Sequence, residues 1–307
     1  MQKLIIEVRM NEGARKEANP QVPYTPDEII ADALACAAAG ATVVHFHARH
    51  ADGRESGEIG DYRRIISGIR TSSEVMVHPT LGLFHGAPPE QRLAHIRALC
   101  QEPGLKPDIA PLDMGSNNID LWDPATASFR NEGYVYANPS ADLRHMAARL
   151  TGWGVRPQMA IWTLANLRLA GAFMDAGLLT EPAYAALFLA GEGFLGGHPA
   201  TLAGLRAFTE NLPDRRIAWS VLCHGGDLLE FVPEIVRLGG HVSIGLGDFA
   251  HPALGQPSNA DLVRRVIEIA AAQGREVATP DEGRALLGIT PLQAAEKAAA
   301  KLLGEQA

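Results

Sequence analysis

The amino-acid sequence predicts one (β/α)8-barrel domain that spans residues 1–307. Short apolar runs alternate with longer helical patterns from end to end, and no linker or low-complexity segment interrupts them. Eight such alternations favour parallel strands that close into a barrel, with the helices outside. An open, doubly wound sheet is the alternative, but no GxGxxG motif follows the first strand, as dinucleotide-binding members of that class require.

The predicted strands and helices alternate along the chain. The strands are Leu4–Met10, Thr42–Ala48, Glu74–Thr80, Ile109–Asp113, Pro157–Trp162, Ala185–Ala190, Ile217–Cys223 and His241–Leu246. The helices begin near Pro26, Ile59, Pro89, Ser140, Ala165, Pro199, Leu228 and Ser258.

Local signals support two helix starts and a C-terminal extension. Thr25-Pro26-Asp27-Glu28 offers a capping hydroxyl, a proline at the first helical position and acidic residues in the first turn. Ser258 and Asp261 have the spacing of a capping box. The tail, about residues 276–307, contains two Thr-Pro steps, each of which opens a short helix. We expect these helices to pack outside the barrel or against a neighbouring subunit.

The composition limits the classes of protein to which the chain can belong. The chain has 307 residues, 47% of them hydrophobic, and a net charge of -8 with acids and bases interspersed, which argues against a nucleic-acid surface. No signal peptide is recognisable at the N-terminus, and no apolar stretch approaches the roughly 20 residues of a membrane span. The three cysteines have neither metal-binding nor disulfide-framework spacing. These features predict a cytoplasmic protein.

The sharpest motif is His45-Phe46-His47 at the end of the second predicted strand. Alternate residues of a strand face the same side, so both imidazoles project together. Active sites of this fold lie at the carboxyl ends of the barrel strands, where two such imidazoles can chelate one divalent ion. Zinc suits neutral imidazole best, and iron, manganese and nickel are alternatives.

Acidic residues follow the first and last predicted strands. Asp248 ends a glycine-rich run after the last strand, and Glu12 lies in the polar segment after the first. The last strand neighbours the first in a closed barrel, so Asp248 can approach Glu12 and the metal. A loop acid or turn cap is the structural alternative.

Other polar residues follow the first, third and fourth strands. Asn11, Thr80, Ser116 and Asn117 are candidates for hydrogen bonding to substrate, including a carboxylate or thioester oxygen, although plain turns explain them almost as well. No GxSxG, Walker A or HExxH pattern occurs, so serine-nucleophile and phosphoryl-transfer chemistry lack support.

Almost the whole chain resembles the β-keto acid cleavage enzymes, the family of the 3-keto-5-aminohexanoate cleavage protein. The likeness is carried by NPQVPYTPDEI, AGATVVHFHARHADG, LKPDIAPLDMGSNN, LGGHVSIGLGD, PSNADLV and GREVATPDEGRALLG. It implies a zinc-dependent barrel, usually tetrameric, that condenses a β-keto acid with acetyl-CoA to give a new CoA ester and acetoacetate. It also implies that His45 and His47 bind the metal, that Glu12 contacts substrate and that Asp248 acts in catalysis.

The chain departs from the family pattern at the last strand. The resemblance aligns Ser243 with a catalytic arginine and Gly247 with a metal-ligand glutamate, and the acidic position of the fifth strand falls near Trp162 and Thr163. Glycine has no donor atom, so the metal has a water molecule, a weaker site or another ligand residue. We expect that residue to be Asp248, Glu12 or His224, in that order.

The missing positive charge then has two candidates, Arg9 and Arg49, and we take Arg49 as a catalytic residue. The departures keep two other functions open. One is a CoA-independent, metal-dependent lyase, aldolase or hydrolase, and the other is a barrel that binds ligands without turnover.

Overall fold

The computed structural model describes residues 2–81 and 86–305, and it confirms the predicted (β/α)8 barrel. Its parallel strands are β1 (Ile6–Arg9), β2 (Val43–Phe46), β3 (Met76–Pro79), β4 (Ile109–Asp113), β5 (Arg156–Ile161), β6 (Ala183–Ala190), β7 (Ile217–His224) and β8 (His241–Ile244). They lie in the order β3-β2-β1-β8-β7-β6-β5-β4. Between β3 and β4 the Asp108 N–H donates to the Val77 carbonyl at 3.1 Å, which leaves the barrel nearly closed.

Helices connect the strands on the outside of the barrel. They are Pro26–Ala39, Ile59–Ser72, Pro89–Arg92, Ala94–Cys100, Ser140–Gly152, Leu164–Asp175, Leu202–Thr209, Val232–Arg237, Asn259–Ala272, Pro280–Leu287 and Ala294–Glu305. Among the described residues, none of the helices has the length and apolar character needed to cross a bilayer.

The predicted capping signals act as expected. The Thr25 hydroxyl accepts from the Glu28 N–H, and Pro26 occupies the first helical position. Ser258 and Asp261 form the reciprocal capping box of the helix that follows β8. Each of these contacts satisfies backbone N–H groups that have no partner inside the helix.

Two antiparallel hairpins interrupt the alternation after β4, and the sequence did not predict them. Asn117–Asn118 pairs with Val135–Tyr136, and Leu121–Asp123 pairs with Ser128–Asn131. Their strands are too short to show a clear alternation of apolar and polar residues. They add a polar and aromatic wall at the carboxyl end of the barrel.

An apolar layer closes the opposite end of the barrel. Ile5, Tyr184 and other buried residues from the starts of the strands pack with Leu287 and Ile289 of the tail. The Leu4 N–H also donates to the Glu276 carbonyl at 2.8 Å. The tail therefore packs on the barrel at the end away from the site described next.

Candidate metal and active site

His45 and His47 both lie at the carboxyl end of β2, with Phe46 packed outward into the core beneath the helices. The Nδ1 of His45 lies 2.8 Å from the His78 carbonyl, and the Nδ1 of His47 lies 2.7 Å from Glu55 Oε1. Such contacts fix the orientation of a metal-binding imidazole and leave Nε2 as the nitrogen suited to a metal. Burial, with the nearby His78, Arg9 and His47, lowers the pKa of His45 well below its usual value, so its ring is neutral.

Glu12 completes a three-residue group with these histidines. One ligand atom from each of Glu12, His45 and His47 can be chosen so that all lie within 4.8 Å of one another. The Glu12 side chain is buried, and neither carboxylate oxygen has a hydrogen-bond partner. Burial raises the pKa of Glu12 to about 8, although Arg9 opposes the shift. Glu12 Oε1 lies 3.3 Å from Arg9 Nε and 3.4 Å from His45 Nε2. A buried carboxylate without hydrogen bonds beside two imidazoles fits a divalent cation, and two histidines with one glutamate is a known zinc ligand set.

The backbone of Glu12 is held in an unusual conformation. Its φ is 20°, a region that residues other than glycine seldom adopt. Arg49 donates to the carbonyls of Glu12 and Ala14, and its guanidinium lies 5.1 Å from the centre of the Tyr24 ring. Arg49 is absent from the lining of the cavity that holds Glu12. The hydrogen bonds that the structure gives Arg49 are therefore to the backbone of the Glu12 segment.

Gly247 gives the Glu12 carboxylate its space. A Cβ at position 247 would overlap Glu12 Oε2, so any larger residue there would displace the carboxylate. The space at position 247, where the family resemblance implies a missing ligand side chain, is thus filled by Glu12 from the segment after β1. Of the three expected replacements, Glu12 is the one that the described structure groups with the two histidines.

Asp248 lies beside this group and pairs with Arg9. The Arg9 Nε donates to Asp248 Oδ2 at 2.6 Å, and His224 Nδ1 lies 3.4 Å from Asp248 Oδ1. Burial alone would raise the pKa of Asp248, but the Arg9 charge and the His224 hydrogen bond outweigh it and lower that pKa. The lowered pKa favours the ionised form of Asp248, and the Arg9 guanidinium is the positive charge paired with it.

A buried polar layer supports the site from below. Glu7 Oε1 lies 2.6 Å from His78 Nδ1, and Glu7 Oε2 accepts from Gln158, Tyr184 and Ser243 at 2.7–3.0 Å. Hydrogen bonds to a buried carboxylate are charge-assisted and directional. Glu7 therefore ties strands β1, β3, β5, β6 and β8 together directly beneath the histidines.

The four predicted substrate-binding residues have different surroundings. Thr80 lines the cavity with Glu12 and both histidines. Asn11 is fully buried, and its amide bonds the backbones of Pro23 and His47, which positions the β2 motif. Ser116 and Asn117 line a different cavity and contact the backbones of Asn138 and Gly196.

Sequence reasoning missed the aromatic side of the cavity. Besides the polar groups, the lining contains Tyr134 and Tyr136 from the first hairpin and the rings of Trp162, Phe188 and Phe194. Phe188 lies in an unbroken buried strand, where an inward and an outward ring look alike in sequence. Trp162 was considered only as the neighbour of a changed position, and no local pattern marks the two tyrosines.

Comparisons with known proteins show the family of the chain. Residues 3–289 match the family model described as beta-keto acid cleavage enzyme. The chain is 28% identical to the 3-keto-5-aminohexanoate cleavage enzyme of Fusobacterium nucleatum, over 94% of this chain and 99% of that one. It is 29% identical to the 3-oxoadipate:acetyl-CoA acetyltransferase of Cupriavidus necator, over 91% and 92% of the two chains.

The chain is also similar to one further relative and to one solved structure. The 3-dehydrocarnitine:acetyl-CoA trimethylamine transferase of Rhizobium meliloti is 29% identical, over 88% of this chain and 90% of that one. The solved complex of ObcA with oxaloacetate superposes with a TM-score of 0.66 at 17% identity, covering 88% of this chain and 68% of that one. At that identity the structural match supports the barrel fold alone.

Proposed function

The chain belongs to the beta-keto acid cleavage enzyme family, and on that premise we propose that it transfers the acyl group of a β-keto acid to CoA. The substrates are a β-keto acid and acetyl-CoA, and the products are a new CoA ester and acetoacetate. The observation that carries the proposal is the group of Glu12, His45 and His47, which lines one cavity together with Arg9, while Asp248 pairs with Arg9 at 2.6 Å behind that lining.

Glu12, His45 and His47 would hold a divalent metal, and we propose zinc. Two imidazoles and a carboxylate form an open ligand set, which leaves room for a substrate oxygen. A metal bound there would act as a Lewis acid on the keto oxygen and would stabilise negative charge that develops on it. Glu12 has a second function, because its charge lowers the electrostatic cost of bringing the cation into a buried site.

Asp248 would act as the general base. It would remove a proton from the carbon that lies between the ketone and the carboxylate of the substrate. That carbon then bonds to the acetyl carbon of acetyl-CoA, whose bond to sulfur breaks to release the CoA thiolate. The thiolate adds to the keto carbon, the bond between the keto carbon and the deprotonated carbon breaks, and the keto carbon leaves as the new CoA ester. The remaining fragment takes the proton back from Asp248 and is acetoacetate. Arg9 keeps Asp248 ionised and positions it, and Thr80 lies within the cavity to contact the substrate.

The test follows both products of a metal-replete protein supplied with a panel of β-keto acids. With carbon-13 in the acetyl group of acetyl-CoA, we expect label in acetoacetate and none in the new CoA ester. Glu12→Gln should lose bound metal and activity together, whereas the exposed Glu17→Gln, from the same segment, should lose neither. Absence of any new CoA ester across the panel would refute the proposal.

The same assay separates the alternatives. Turnover without acetyl-CoA would favour a lyase, aldolase or hydrolase. A protein that carries no metal and gains no activity on reconstitution would favour a barrel without catalysis. Acetyl-CoA is an intracellular metabolite, which supports a cytoplasmic location, and the homotetramer implied by the family resemblance remains a prediction for sedimentation analysis.

A further inference from the structure

One cavity of about 340 Å³ contains both the metal-ligand candidates and an aromatic wall. The ligand candidates follow β1 and β2, whereas Ala160, Trp162 and Phe188 belong to or follow β5 and β6. In the strand order of the barrel, β5 lies four steps from β1, so these two groups face each other across the barrel mouth. A substrate whose keto oxygen is bound near Glu12 would therefore direct its distal group toward the rings.

The rings form a continuous apolar surface. Trp162 stacks on Phe188, with 4.3 Å between ring centres and 15° between planes, and Phe194 lies 5.6 Å from Trp162. The buried Ala160 and the half-buried Ile119 extend the same wall. Stacked and tilted rings of this kind present a large apolar area that gains free energy when water leaves it.

Asp113 is the carboxylate on this wall, and its oxygens are directed at the rings. Oδ1 accepts from Trp162 Nε1 at 2.8 Å, and Oδ2 accepts from the Tyr136 hydroxyl at 2.8 Å. The same hydroxyl accepts from Arg92 at 2.8 Å, so a phenol links the carboxylate to a guanidinium. Asp113 thus braces Trp162 and Tyr136, and part of its charge is balanced within the protein.

We propose that the group on the keto carbon of the substrate is bulky, uncharged and apolar, such as a branched alkyl or phenyl group. This inference rests on the proposed function, because it names the substrate class of the same site. A charged distal group would lose hydration against the Trp162–Phe188 surface. Two charged groups near the rings already have partners, since Arg9, 5.8 Å from the centre of the Phe188 ring, is paired with Asp248, and the Asp113 oxygens accept from Trp162 and Tyr136. An apolar group would displace water from both the substrate and the rings.

The closing experiment compares isosteres. A β-keto acid that ends in a tert-butyl group and its trimethylammonium counterpart have nearly the same shape and differ in charge. We expect kcat/KM to favour the tert-butyl substrate by about tenfold or more, the range that a pocket contact typically provides. Trp162→Ala should reduce this preference, whereas Phe129→Ala, which removes a ring that is 44% exposed on the second hairpin, should preserve it.

Binding measurements without turnover distinguish a failure of the apolar subsite from a failure of the proposed reaction. Calorimetry with unreactive short carboxylic acids that end in the same two groups should show the same preference and the same effect of Trp162→Ala. Selective binding without any CoA-ester formation would uphold the apolar subsite and refute the reaction. Turnover with equal or better use of the trimethylammonium substrate would overturn the apolar subsite, and the rings with Asp113 would then form a cation site.

Discussion

Glu12 Oε2 occupies the volume that a side chain at position 247 would fill. The two positions belong to the segments that follow the adjacent strands β1 and β8. A similar relationship exists one layer lower, where Ser243 of β8 donates to Glu7 of β1 at 3.0 Å. In both layers the chain at β8 or just after it contributes a small residue, Ser243 or Gly247. The chain at β1 or just after it contributes the acidic residue, Glu7 or Glu12. The first strand therefore supplies the carboxylate, and with Arg9 the guanidinium, that the family pattern would place on the last strand.

The Glu12–Gly247 relationship predicts that a glutamate can bind the metal from either of the two positions. Gly247→Glu alone should disturb the site and destabilise the protein by about 1–3 kcal/mol, because two carboxylates would compete for one buried space. Glu12→Gly alone should lose the metal. The double variant, Glu12→Gly with Gly247→Glu, should recover about one metal ion per chain, measured by mass spectrometry of the purified protein. A double variant that binds no more metal than either single variant would show that the two positions are not equivalent.

Arg9 is predicted to set the pH at which Asp248 works. Because Arg9 favours the charged form of Asp248, Arg9→Gln should raise the pKa of that carboxyl. Asp248 acts as a base only when ionised, so the acid limb of kcat/KM should move to higher pH. Arg9→Lys keeps the positive charge and should move the limb less. Equal shifts in both variants, or none, would contradict an electrostatic function of Arg9.

The barrel and the histidine pair could be predicted because their signals are local. An apolar run marks a strand, and the spacing of His45 and His47 places both rings on one face wherever that strand lies. The approach of Glu12 to the two histidines is harder to predict from sequence. It depends on the space that Gly247, which follows a different strand, leaves for the Glu12 carboxylate. Sequence order alone ranked Asp248 first for the same ligand position.

The remaining contacts could not be predicted because their partners are distant in sequence. Asn11 looks like a substrate-binding amide until the fold brings the His47 backbone, 36 residues away, against it. Arg9 and Asp248 are 239 residues apart. The wall of the cavity combines hairpin and strand residues whose rings have no common period, so only the folded chain reveals Trp162 as part of that wall.

Substitution of Arg49 tests whether this residue positions the Glu12 segment or takes part in catalysis. Arg49→Lys keeps the charge but cannot donate to both the Glu12 and Ala14 carbonyls from a planar fork. We expect metal affinity to fall by about tenfold, as for other residues that orient a ligand, with the fold retained. Competition with a chromophoric chelator measures this affinity, and the exposed Arg15→Lys is the matched control. Unchanged affinity with reduced kcat would instead support the catalytic function that the sequence suggested for Arg49.

His241, at the start of β8, is predicted to make the protein sensitive to acid. Burial, with the nearby Arg275, lowers the pKa of His241 to about 3, and its Nδ1 accepts from the Ile5 N–H at 3.0 Å. In the unfolded chain the pKa of histidine is about 6.5. Between these values the unfolded state binds a proton that the folded state excludes. The contribution of His241 to the free energy of unfolding should therefore fall by up to about 1.4 kcal/mol for each pH unit below about 6.5.

Urea unfolding at several pH values between neutrality and about pH 4 isolates this contribution of His241. The amide oxygen of an asparagine can replace Nδ1 as the acceptor for Ile5, but it does not titrate. His241→Asn should thus be less stable than the parent at neutral pH, since it leaves a small void, and should lose less stability on acidification. The exposed His50→Asn should keep the parent slope. Parallel slopes for the parent protein and His241→Asn would mean that another buried group carries the acid sensitivity of the barrel.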